Sequence, residues 1–136
     1  MDFIVNIARD WSTGDYAAMM GNLEFHGPSS HRALNLLLNE MVDFGYKILA
    51  MELEIVSVRT DVRYCFIIYL DYDTRTITYA KTNQIFPETG TVTVLQYQQE
   101  TIEGVSAPHA LNTLLNRLHI EVGEFRKVDI QAQYIR

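Results

Sequence analysis

Apolar residues recur along this chain at two spacings, and the spacing names the element. Phe3, Ile4, Ile7 and Trp11 share one helical face, so residues 2–11 read as a short amphipathic helix. Ser12-Thr13-Gly14-Asp15 breaks it, and Tyr16–Met20 reads as a further helical turn. Residues 29–44 and 106–119 carry fuller stripes, Leu34, Leu37, Leu38 and Met41 in the first, Leu111, Leu114, Leu115 and Leu118 in the second. Ser29 and Ser106 suit N-caps, Pro108 suits an opening turn, and Gly45 and Gly123 suit helix ends. After each helix the period drops to two, through Leu49, Met51, Leu53 and Ile55, and through Val128, Ile130, Ala132 and Tyr134. Val62–Asp71 is apolar on both faces and reads as a central strand, with a turn at Asp71-Tyr72-Asp73-Thr74 and a strand at Thr76–Lys81. Asn83–Gly90 reads as a loop, and Leu23–Phe25 and Thr91–Ile102 as extended stretches leading into the helices.

The two helices belong to an internal repeat. Residues 27–39 read GPSSHRALNLLLN and residues 104–116 read GVSAPHALNTLLN, with eight of thirteen positions identical at an offset of 77. Self-similarity of this kind points to architecture before any motif does. The expected fold is α+β: a duplicated βαβ, ferredoxin-like (split βαβ) sheet with two helices on one face, plus an extra hairpin strand and an N-terminal helical segment. One domain fills residues 1–136, divided into an N-terminal helical segment (1–21), a first βαβ unit (22–58), a central hairpin (62–81) and a second βαβ unit (91–136). In the repeat, Asn35 and Asn39 return as Asn112 and Asn116, one helical turn apart on the flank beside the leucines. Asparagine is a mediocre helix former, so the pattern asks for a reason. The first reading is hydrogen bonding across a seam between side-by-side helices; the other is a pair of ligand-facing polar stripes.

Composition narrows the function. Seventeen acidic against eleven basic residues give a net charge of −6, which disfavours a sequence-independent grip on duplex nucleic acid or an anionic membrane. The single cysteine, Cys65, excludes an internal disulfide and a cysteine-based zinc site. No basic leader or membrane-length apolar run precedes the repeat, so a cytoplasmic chain is expected.

Candidate chemistry gathers at the two helix starts. Free amides and the positive end of the helix dipole favour an anion there. Ser29, Ser30, His31 and Arg32 in the first copy and Ser106 and His109 in the second are therefore the expected ligand-binding residues. Antiparallel helices would put these starts at opposite ends of the layer. No G-x-S-x-G elbow, H-x-x-x-H pair or phosphate-binding loop is present, and no residue is singled out as catalytic or metal-binding. Asp71 and Asp73 read as turn residues rather than cation ligands. The surplus apolar residues Phe3, Ile7, Trp11, Tyr64 and Phe66, with Val92–Tyr97, suggest a face shared with a second copy.

Arg63-Tyr64-Cys65-Phe66-Ile67-Ile68-Tyr69 resembles the aromatic third-strand motif of RNA-recognition-motif domains. The resemblance implies that Tyr64 and Phe66 would stack on bases. It covers about seven residues, and the chain departs from the pattern on both sides of them. Arg63 stands for the usual glycine, Val62 for a basic residue, and Asn22–His26 carries an acid where an aromatic would serve. The expectation is accordingly a small non-enzymatic binding module without a cofactor, homo-oligomeric, holding a basic protein partner or a small anionic ligand. Regulators, inhibitors and accessory proteins of phages and mobile elements are of this kind. The alternatives are a hydrolase or transferase with a histidine base at a helix N-terminus, and an oligomeric assembly component.

Overall fold

A computed structural model of the chain describes residues 1–94 and 98–135. Positions 95–97, including the Tyr97 end of the Val92–Tyr97 stretch, lie outside the described residues. The elements run β1 (Asp2–Arg9), β2 (Tyr16–Met20), β3 (Leu23–Gly27), α1 (Ser30–Asp43), β4 (Tyr46–Val56), β5 (Arg63–Asp71), β6 (Thr76–Phe86), β7 (Thr91–Val94), β8 (Glu100–Glu103), α2 (Ala107–Glu121) and β9 (Glu124–Tyr134). The fold is α+β, with nine described strands in one antiparallel sheet and two helices.

The expected N-terminal helical segment is instead the β1–β2 hairpin. A helix over residues 2–11 had to bury Ile4 and Trp11, yet these are 53% and 82% exposed, while Val5, which the helical stripe omits, is fully buried. Phe3, Val5 and Ile7 alternate toward the helices, and the β-branched Ile4, Val5 and Ile7 favour the strand. Asp10 closes the turn by accepting the Ser12 amide at 3.0 Å and the Ser12 hydroxyl at 2.6 Å. The loop expected at Asn83–Gly90 also shrinks, because β6 continues through Phe86 after a register shift beside Thr82.

Strand order is β3-β2-β1-β9-β4-β5-β6, with β7 and β8 both pairing with the far side of β6. The ferredoxin-like expectation gives way to a larger arrangement. A split βαβ unit leaves one strand between the two that flank its helix. Here three lie between β3 and β4, and three between β8 and β9. What read as a helical segment and a separate hairpin are the opening strands of two β-β-β-α-β halves, the second with β7 inserted between β6 and β8.

These halves exchange their last strands. β9 pairs with β1 of the first half, β4 pairs with β5 of the second, and β4 and β9 pair with each other along the middle of the sheet. The order therefore reads alike from either edge, and neither half closes its sheet alone. The registers carry the same correspondence. Phe25 pairs with Ala18 as Ile102 pairs with Ile77, and Phe25 and Ile102 are separated by the offset of 77.

Both helices rest on one face. Leu34, Leu37, Leu38, Met41, Leu111, Leu114, Leu115 and Leu118 join strand residues such as Val5, Met51, Ile68 and Ile130 in one apolar cluster. Gly27 and Gly104 let each helix approach the strand before it. A methyl group there would sit 2.8 Å from the Ala33 amide nitrogen in the first copy and 3.0 Å from that of Ala110 in the second. Across the seam, Asn35 Nδ2 donates to Asn112 Oδ1 at 2.9 Å. These two residues occupy the same position in their copies, so the seam joins equivalent points of the two halves. Asn39 and Asn116 stay exposed.

Candidate functional site

Each helix start is capped as its sequence suggests. Ser29 accepts the Arg32 amide at 3.1 Å and Ser106 accepts the His109 amide at 3.2 Å. Beyond the caps the two starts differ. At α1 the fully buried Ser30 donates its hydroxyl to Glu124 and accepts the Phe125 amide at 2.9 Å, while its own amide donates to Glu124 Oε2 at 3.2 Å. The anion expected at this helix start is thus the chain's own carboxylate, from the first residue of β9. That contact satisfies a free amide at the positive end of the helix and ties α1 to the far half of the chain. At α2 the corresponding residues are Ala107, which has no hydroxyl, and Pro108, which has no N–H. His109 and Arg32 stand exposed.

His31 is buried rather than presented to a ligand. Its ring stacks on His119 with centroids 5.8 Å apart, and His119 Nδ1 lies 3.6 Å from Glu124 Oε2. Asn35 Nδ2 approaches His31 Nε2 at 3.3 Å. An amide nitrogen only donates, so this contact needs Nε2 unprotonated. Burial holds the His31 pKa below the usual histidine value, helped by the neighbouring His119 and Arg32 charges and opposed by Asn112 and Glu124. Serine, histidine and glutamate meet here, but both hydrogen-bonding roles of Ser30 are taken by Glu124 and Phe125, and its side chain has no exposure. The arrangement latches α1, α2 and β9 together. Glu124 carried no local signal in the sequence, since it lies 94 residues from Ser30.

The expected interface residues separate. Ile7 and Phe66 are in the core and have no surface to offer another chain. Phe66 is therefore not an exposed base-stacking ring, and Tyr64 is half-buried with Lys81 Nζ 4.9 Å from its ring centroid. Trp11 is exposed, with the Arg9 guanidinium 4.6 Å above it. Phe3 lines a cleft.

That cleft, of about 260 Å³, opens between the second half of α1 and β1–β3. Phe3, Met20, Phe25, Leu37, Met41 and Tyr46 make its floor and walls, Leu23 and Phe44 its rim. Leu23 is 45% exposed and Phe44 59%. Glu40 is the one charged lining side chain among the described residues. An equivalent cleft of about 360 Å³ lies beneath α2, but its lining includes Lys81, Glu100, Arg117 and Glu121. A shallow hollow of about 500 Å³ on the open face of the sheet includes Cys65, Glu52 and Glu54. Burial and the two carboxylates push the Cys65 thiol pKa up, which makes it a poor nucleophile.

Asp71 accepts the amides of Asp73 at 3.0 Å and Thr74 at 3.2 Å, a local turn. Among the described residues no group of three or more His, Cys, Asp or Glu is placed to hold a metal ion. No helix there is long and apolar enough to cross a membrane. Compared with known proteins, the chain matches no family model, no curated protein and no solved structure.

Proposed function

We propose that this protein is a non-enzymatic binding module that captures an apolar segment of a basic protein partner in the cleft between α1 and β1–β3. The observation that carries the reading is the exposure of Leu23 and Phe44 on the rim of a concave cleft lined, Glu40 aside, by apolar and aromatic side chains. A concave site with aromatic and methionine walls accepts apolar anchors of varied shape. Glu24, Glu40 and Asp43 supply carboxylates on β3 and α1, and the net charge of −6 favours a partner bearing lysine or arginine. A small anion as the principal ligand is less well supported, since Glu124 already fills the α1 start.

Selection of random peptides displayed on phage against the immobilised protein tests this. Enriched peptides should combine apolar anchors with Lys or Arg, and should lose binding to Leu23→Lys and Phe44→Lys. Both residues are exposed, so these variants should melt within about half a kcal/mol of the parent. Peptides indifferent to both substitutions, or no enrichment at all, would overturn the proposal.

A further inference from the structure

β3 ends the sheet. It pairs with β2 on one side, and no described strand pairs with it on the other, so its outer backbone N–H and C=O groups form an open edge. Leu23 and Phe25 of this strand line the apolar cleft, whereas Glu24 and His26 point to the opposite face by the two-residue period of a strand. The open edge and the cleft are thus parts of one surface. The second half presents no such surface. Its equivalent strand, β8, carries Glu100 where β3 carries Leu23, and the adjoining cleft is charged.

We propose that the partner segment binds in extended form, as an added strand on the free edge of β3, with alternate apolar side chains directed to the cleft side and basic side chains between them. This rests on the cleft being the binding site, and it specifies the partner's conformation and pattern. A residue placed opposite Leu23 or Phe25 points to the helix-covered face, beside Phe44 and Glu40. One placed opposite Glu24 points to the other face, where that carboxylate, half exposed and 3.1 Å from His26 Nε2, favours Lys or Arg. A helical guest would satisfy its own backbone and leave the groups of the β3 edge unpaired beneath it. A second copy of β3 is a poorer occupant, because its Leu23 and Phe25 already line their own cleft and each copy carries net negative charge.

The probe is a short capped peptide alternating lysine with valine and phenylalanine, titrated into the full chain. Its permuted isomer carries the same residues at helical spacing. Two further versions carry backbone N-methyl groups on one edge of the strand or on the other. The alternating peptide should bind and slow hydrogen exchange of β3 amides. Methylation of the β3-facing edge should weaken it by at least about tenfold, and methylation of the outer edge should not. Glu24→Lys should weaken it as well. Equal binding of the permuted isomer, tolerance of both methylation patterns, or no binding of the alternating peptide would overturn strand addition. Display-selected peptides sensitive to Leu23→Lys and Phe44→Lys would still uphold the cleft as a site. A concentration-dependent dimer that protects β3 amides without peptide would assign the edge to a second copy.

Discussion

The two halves of the molecule agree in the apolar core beneath their helices and diverge at the cleft rims and at the helix starts. Leu37 and Leu114, Met41 and Leu118, and Phe25 and Ile102 fill equivalent places beneath their helices, all apolar. At the cleft rims the same comparison pairs Leu23 with Glu100, Glu40 with Arg117, and Phe44 with Glu121. Close packing constrains the first set, since each methylene lost or gained in a core is felt. The second set is largely exposed, where close packing sets no such limit, so one cleft is apolar and its counterpart charged on the same scaffold, with Tyr79 donating to Glu100 at 2.5 Å in the charged one. The latch diverges too, although Ser30 and His31 are buried. Ser30, His31 and Glu124 hold the α1 start, while Ala107, Pro108 and Lys47 occupy the equivalent places in the other half.

The largest expected effect tests the agreement. Leu37→Ala and Leu114→Ala each remove a fully buried side chain, and each should cost about 2–5 kcal/mol in denaturant melts. A loss below about half a kcal/mol at either site would remove that helix from the core and break the equivalence.

The next tests the divergence. Ser30→Ala strips the Glu124 carboxylate of a donor and the Phe125 amide of its acceptor, so about 1–3 kcal/mol should be lost. The reverse change in the other half, Ala107→Ser, introduces a hydroxyl with no carboxylate at the equivalent position and should bring no comparable gain. Equal and opposite effects would mean that the latch is not peculiar to the first half.

The smallest concerns pH. His31 has a lowered pKa in the folded state, so the unfolded chain binds its proton first as the pH falls through about 6.5. Folding stability is unaffected by this group above that value and declines below it. Urea melts at about pH 7 and pH 5.5 should show the decline in the parent, and less of it in His31→Gln. An identical pH dependence in both proteins would place the titration elsewhere.

Much of this half-by-half picture was legible in the residues themselves. The leucine stripes and the Ser29 and Ser106 caps were readable because a helix records its neighbours within a turn or two of sequence. Of the asparagine flanks, Asn35 and Asn112 meet across the seam, whereas Asn39 and Asn116 stay exposed. The segment before the helices was not legible. Residues 2–20 hold apolar runs too short to tell period two from period 3.6 without knowing which side meets a core, and burial of Val5 in place of Ile4 decided it. Of the candidate site, the Gly-x-Ser turns were visible, but Glu124 and the cleft were not, because their parts come from strands and helices far apart in the chain.

The sequence by itself thus determined not the strands of residues 2–20 but the two repeated helices, which faces they bury and that two similar units are present. Those are consequences of local periodicity, capping and steric limits on the backbone. Only the tertiary structure decided the strand order, the exchange of β4 and β9, the carboxylate at the α1 start and the contrast between the clefts. Any strand has two edges open to hydrogen bonding, and local sequence does not say which neighbour will fill them. That choice belongs to the arrangement that buries the most apolar surface across the whole chain.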